Sequence, residues 1–335
     1  MFKKVFLLIA LGLMLLLPSG PLSAQDGPDP ELVAYVVGAF EQLNAVESYG
    51  VSGYQATVME LVIKANEIEV TAESTFDAQF QPTTGGNIKA AVATVNGDVE
   101  VSTDGDGASM SVTAEVIFID LKQYFRLDID APAEAGLDVP YEWYVIDMSE
   151  LAGITEEAGI DFDVLAQTTG NKFLSDLYIP ITSDAVQAIR EEAPEVLDGR
   201  EYRVFSVTIS PEGTIPDELG KILDVAELQA QIEAAEGGAN SDTALLANID
   251  QLMDAMTITE DIWIDAETGL PLHVILEADY SEMLPLMGQI DPELAGVTGS
   301  LEKFSDVTID NINAPFSVEL PADATSLPAS AMIDQ

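Results

Sequence analysis

Few side chains in this 335-residue sequence are suited to covalent chemistry. The sequence contains one histidine, His273, and no cysteine. A histidine-based triad would have to be built around His273, which lies mid-strand in Leu272-His273-Val274 and reads as an ordinary sheet residue. The lack of cysteine removes a thiolate nucleophile, a thiolate metal site and a disulfide framework. No Gly-x-Ser-x-Gly elbow occurs. Gly105-Asp106-Gly107 resembles a phosphate loop only superficially, since no Lys-Ser/Thr pair or helix follows it. Asp104 and Asp106 have oxygen ligands for Ca²⁺, but the twelve-residue loop with its terminal Glu is missing, so they read as a solvated turn. Carboxylate pairs recur throughout so acidic a chain and nominate no glycosidase-type site. The sequence therefore points to no enzyme, names no catalytic residue or metal ligand, and calls for no cofactor.

Charge and targeting narrow the classes further. The formal net charge is −47. The first 24 residues read as a secretory signal, with Lys3 and Lys4 as the positive region, Val5 to Leu17 as the apolar run and Pro18 to Ala24 as a small-residue exit. The apolar run is short for a membrane span of roughly 20 residues. Cleavage after Ala24 is expected, giving an exported (periplasmic or extracellular) chain with 10 basic against 59 acidic residues. Such a surface repels phosphates, which excludes nucleic acid and electrostatic docking on anionic lipid. With no cysteine after the apolar run, a Cys-anchored lipoprotein is excluded as well.

The elements that must position any site are mostly strands. Asp29 to Leu43 has helical spacing, with Leu32, Val36, Phe40 and Leu43 on one face. The period then becomes two through 51–62, 67–81, 88–95, 99–103, 109–119 and 123–130, with Asn96-Gly97-Asp98 read as a turn. Short links make these strands antiparallel neighbours. Trp143 to Asp147 adds a strand. A helical insert is expected over 149–192, with its clearest turn from Asp184 to Arg190, and a second over 211–259. Arg200 to Ser210, Asp261 to Leu276, Leu301 to Ile312 and Phe316 to Leu320 complete one sheet. The expected organisation is a signal over 1–24, a short tail over 25–30, one large domain over 31–320 and a C-terminal tail over 321–335.

Several runs carry a family resemblance. Phe40 to Tyr49, Tyr141-Glu142-Trp143-Tyr144-Val145-Ile146-Asp147-Met148-Ser149, Leu197-Asp198-Gly199-Arg200 and Pro315 to Pro321 each resemble a segment of the LolA/LppX superfamily of exported lipid and lipoprotein carriers. The most specific is Ile262-Trp263-Ile264-Asp265-Ala266-Glu267-Thr268-Gly269-Leu270-Pro271, which resembles that family's strand-turn-strand hairpin. The resemblance implies an α+β fold: a single, strongly curved antiparallel open half-barrel of about 11–12 strands, with helices over its concave face and an apolar cavity for acyl chains. No residue here matches the functional Arg of the lipoprotein-carrying branch, so the lipid-binding branch fits better.

The strands around the two tryptophans carry apolar residues on both faces, Ile262 and Ile264 on one and Trp263 on the other. Such a sheet must be covered by helices, a greasy ligand, or both. The cavity candidates are Met59, Leu61, Phe118, Phe125, Leu127, Trp143, Phe205, Trp263 and Val274. Leu245, Ile249, Leu252 and Met256 form one apolar stripe of the second insert, expected to act as a lid. The partners that follow are a lipid or lipidated ligand and a membrane-bound donor or acceptor protein, with the carrier itself a monomer. The alternative is an acidic extracellular interaction protein with the same fold and a filled core.

Overall fold

The computed structural model describes residues 28–63, 66–82, 88–103, 106–132, 140–151, 181, 183, 185–209, 255–290 and 294–328. Its organising pattern is clearest in the strand β2 (Asn66–Pro82), which pairs along its length with β1 (Tyr49–Ile63). In β2, Ile68, Val70, Phe76, Ala78 and Phe80 turn inward, while Glu67, Glu69, Glu73 and Asp77 between them are exposed. Alternate residues of a strand point to opposite faces, so this sequence makes a sheet with one apolar and one acidic face.

The strands β3 (Ile88–Thr103), β4 (Asp106–Ile119), β5 (Lys122–Asp130) and β6 (Tyr144–Asp147) extend the sheet on one side of β2. On the other side of β1 lie β12 (Thr298–Asp310), β11 (Pro271–Asp279), β10 (Thr257–Asp265), β9 (Arg200–Ile209) and β7 (Val186–Glu191). Two short strands, β8 (Glu195–Leu197) on β9 and β13 (Thr325–Leu327) parallel to β6, bring the total to 13. The β7 and β13 ends do not pair with each other, so the sheet is an open antiparallel half-barrel.

Two helices pack on the inner face. α1 (Pro30–Leu43) has Asp29 as its N-cap, accepting from Glu31 N at 2.9 Å, and Pro30 at the position where a missing N–H costs nothing. Its buried side, Val33, Val36, Ala39, Phe40 and Leu43, joins Tyr49 and Phe80 on the central strands β1 and β2 and Phe205, Ile262 and Val274 on β9, β10 and β11. α2 (Met283–Ile290) adds Met283, Leu284 and Met287 to the same core.

Several expectations need correction. Asn96-Gly97-Asp98 is not a turn: β3 runs unbroken, with Gly97 opposite Ser74 and Val112. Asn96 and Asp98 project outward and accept from Thr113 Oγ1 at 3.0 Å and Ser111 Oγ at 2.6 Å, so these polar residues serve the strand's solvent face. The stretch expected to be helical up to Arg190 is strand β7, because Val186 and Ile189 pair with Ile209 and Val207; Asp184 itself lies outside the described residues. Phe316 to Leu320 forms no strand, whereas Thr325–Leu327 in the expected tail does. Helix α2 was not expected. Most of the two inserts lies outside the described residues.

Gly53 is among the glycines fixed by close approach. A Cβ on Gly53 would stand 2.1 Å from Asp306 O and 2.9 Å from the Phe76 ring, which folds over this position on the inner face. Gly53→Ala is expected to lower stability by about 1–3 kcal/mol through overpacking. Thermal unfolding checks this, and an unchanged midpoint would mean that β1 and β12 separate there freely.

Candidate functional site

Residues directly opposite in adjacent strands share a face, so the pairing registers place every inner-face side chain. One row crosses the sheet as Leu127, Ala114, Val95, Phe76, Gly53, Val307, Val274, Ile262 and Phe205. Phe125, Phe118, Met59 and Leu61 lie in parallel rows on the same face. The inner face thus holds Met59, Leu61, Phe118, Phe125, Leu127, Phe205 and Val274 of the expected set.

The two tryptophans do not join them. Trp143 precedes β6 on the outer side, where the Arg126 guanidinium lies 4.9 Å from its ring and 4.4 Å from that of Tyr141. Arg126 also pairs with Glu115, another outer-face residue of the neighbouring strand. Trp263 packs with Tyr202, Val204 and Leu272 in a small separate core on the outer face, and its Nε1 donates to Glu195 Oε2 at 3.0 Å. The expectation that Trp143 and Trp263 line the inner cavity is therefore corrected. Strand parity decided it, and parity cannot be read before the register is known. His273, also outward, sits 4.6 Å from the Trp263 ring, and its Nε2 lies 2.8 Å from Asp306 Oδ1.

The inner face divides into two halves of different burial. Over β9 to β12 it is packed: Phe205, Val207, Ile258, Ile262, Val274 and Val307 are each 0% exposed. Arg203 pins α1 there, with its guanidinium 3.9 Å from the Tyr35 ring and its Nε 2.7 Å from Glu191 Oε1. Over β3 to β6 the inner residues Val95, Val112, Val116, Phe118, Phe125 and Leu127 remain only half-buried. The core that α1 and α2 build reaches this half through Ile88, Ala91, Ala93 and Val95 of β3 and Phe118 of β4, and not the inner residues of β5. Of the expected lid, Met256 is fully buried in the packed half, while Leu245, Ile249 and Leu252 lie outside the described residues.

The motif residues that carry the family resemblance build turns. Asp265 Oδ1 accepts from Glu267 N at 3.0 Å, Thr268 N at 2.7 Å and Thr268 Oγ1 at 2.9 Å, and Gly269 follows at φ +71°. Asp147 likewise accepts from the Ser149 amide at 3.0 Å and from its hydroxyl, and Lys122 Nζ lies at 3.6 Å. The Ser149 hydroxyl is the main reason that the Asp147 carboxyl titrates below its usual range. These aspartates organise strand ends. Among the described residues no cluster of three His, Cys, Asp or Glu side chains is placed to hold a metal ion. A surface hollow of about 370 Å³ lies on the outer face, lined by Glu277, Asp279, Glu302 and Phe304 among others.

No family model matches the chain, and no curated protein sequence matches it. Three solved structures align over most of its length. LprF from Mycobacterium bovis aligns at 13% identity and a TM-score of 0.35, covering 89% of this chain and all (100%) of that one. The lipoprotein LppX from Mycobacterium tuberculosis aligns at 13% identity and 0.37, covering 87% and 100%. A DUF1329 family protein from Desulfovibrio piger aligns at 11% and 0.23, covering 86% and 95%. The open half-barrel with helices on its inner face is the architecture that the LolA/LppX resemblance implies.

Asp265 gives the hairpin a pH dependence. Burial alone would raise its carboxyl, but the hydrogen bonds from Thr268 and Glu267, with Arg200 at 3.9 Å, hold it below the ordinary value of 3.8. A carboxylate lowered in the folded state stabilises fully above the unfolded value and loses that contribution as pH falls through the folded one. Asp265→Asn is expected to destabilise on the order of 1 kcal/mol at neutral pH. The gap to the wild type should close as pH drops below 3.8, followed by thermal unfolding at several pH values; a gap independent of pH would contradict this.

Proposed function

We propose that this chain is an exported, non-catalytic carrier that holds the acyl chains of a lipid or lipidated molecule against the inner face of β3 to β6. The observation that carries the reading is the division of that face. Its β9 to β12 half is filled by helices, and its β3 to β6 half presents the half-buried Val95, Val112, Val116, Phe118, Phe125 and Leu127, with the Asp106 carboxylate on that face only at the far end of β4. Each methylene buried there contributes about 0.8 kcal/mol, before the cost of immobilising the ligand. A lipid is also the partner class that the acidic outer face does not repel, because its acyl part carries no charge.

The test is native mass spectrometry of the exported protein, followed by organic extraction. An acyl species near one per chain, on a polypeptide beginning at Gln25, is the expected result. A bare chain that also fails to take up a fluorescent fatty acid would favour the filled-core interaction protein. Phe125→Ser combined with Leu127→Ser should weaken uptake by about tenfold or more, given the apolar area removed. Trp143→Phe, on the outer face, should leave uptake unchanged. Equal effects from the two variants would place the ligand elsewhere.

A further inference from the structure

The outer face is acidic over β2, where Glu67, Glu69, Glu73 and Asp77 are exposed. At its β5 and β6 end the pattern breaks. The pairing registers set Val92, Ile117, Tyr124 and Val145 opposite one another in a single outer row across β3 to β6. Ile117 is buried, and the other three are half-buried. One row further along β5, the Arg126 guanidinium meets the rings of Trp143, half-buried, and Tyr141, 56% exposed. None of these apolar and aromatic side chains belongs to the inner core or to the small core around Trp263. A contiguous apolar patch on the wet face of a sheet marks a contact surface.

Charge indicates what the patch can meet. Two basic residues of β5, Lys122 and Arg126, bracket its apolar row on the same face. Each has its own acid: Arg126 pairs with Glu115, and Lys122 with Asp147. Glu142 and Asp128 are the further acids beside it in sequence. An anionic surface therefore finds no excess of positive charge here, and the chain's overall −47 opposes it. A cationic one meets Arg126 over the two rings. A zwitterionic surface carries both signs in equal number and suits two intact ion pairs. Tyr and Trp favour the boundary between acyl chains and water, where the ring packs and its O–H or N–H stays hydrated. Arg and Lys stems lie along the same boundary. The patch is open sheet surface, so it presents a plane for docking and no enclosure for a lone acyl chain.

We propose that the outer face of β5 and β6 docks this protein on the surface of a zwitterionic lipid bilayer. Tyr141, Trp143 and Tyr124 settle at the level of the headgroups, and the Arg126–Glu115 and Lys122–Asp147 pairs face their phosphate and ammonium groups. Phe125 and Leu127 lie on the opposite face of the same strand, so docking brings this end of the open half against the membrane. The inference goes beyond the carrier reading and does not need it, because a protein with a filled inner face would dock equally.

The experiment is binding of the exported protein to extruded phosphatidylcholine vesicles, followed by co-sedimentation and by tryptophan emission. Trp143 and Trp263 are the only tryptophans, and Trp263 is 8% exposed, so a response to lipid reports on Trp143. Emission should move to shorter wavelength, and phosphatidylcholine brominated along its chains should quench it. Tyr141→Ser combined with Trp143→Ser should reduce co-sedimentation by about tenfold or more, given the apolar area removed. Tyr54→Ser, on the outer face of β1, should leave it unchanged. No co-sedimentation, binding that requires anionic phosphatidylglycerol, or co-sedimentation with unquenched tryptophan would each overturn the proposal. So would an emission shift that follows protein concentration without vesicles, which would make the patch a contact between copies of this chain. Quenching in the wild type decides the matter should a variant fail to fold. Uptake of a fluorescent fatty acid in solution tests the carrier reading separately, and neither result there changes what the vesicles show.

Discussion

The structure depends on burying one face of a very wide sheet. Long strands with strict alternation, such as β2, put every second side chain on the same side, and 13 strands multiply that into a broad apolar surface. The other side carries acids at the intervening positions and stays wet. Apolar area removed from water is the main stabilising term for such a sheet. Its inner face must therefore be covered, and what covers it decides what the protein can do.

Coverage is uneven. α1 and α2 saturate the strands from β9 to β12, where arginine, aromatic rings and methionines close the core. Toward β6 the same apolar rows continue with neither helix above them, and β13 seals only the outermost edge, where Leu327 packs on Ile146 and Phe125.

Much of this was legible in the sequence, and what was not has physical reasons. The helix at Pro30–Leu43, the antiparallel meander and the strands flanking Asp261 to Leu276 follow from periodicity and turn residues. The facing of Trp143 and Trp263 did not follow, because both strands are apolar on their two sides and parity is set by pairing partners far away in sequence. Asn96-Gly97-Asp98 has the composition of a turn, but its amide and carboxylate accept from hydroxyls on β4. Val186 to Glu191 fits a short helix locally, and pairing with β9 overrides that preference. Glu260 and Lys303 looked like two more charges among many. Only the registers show that they occupy the apolar face. The Trp-Ile-Asp-x-x-Thr-Gly-Leu-Pro run is distinctive in sequence because it encodes a turn held by Asp265.

The central claim is that acyl chains lie on the inner face of β3 to β6. The most direct measurement is photo-crosslinking with a fatty acid bearing a diazirine along its chain, mapped by mass spectrometry of the proteolysed adduct. The account predicts adducts concentrated on Val95, Val112, Phe118, Phe125 and Leu127. Adducts on the outer face, around Trp143 or Trp263, would contradict it, as would a saturating probe that leaves β3 to β6 unlabelled.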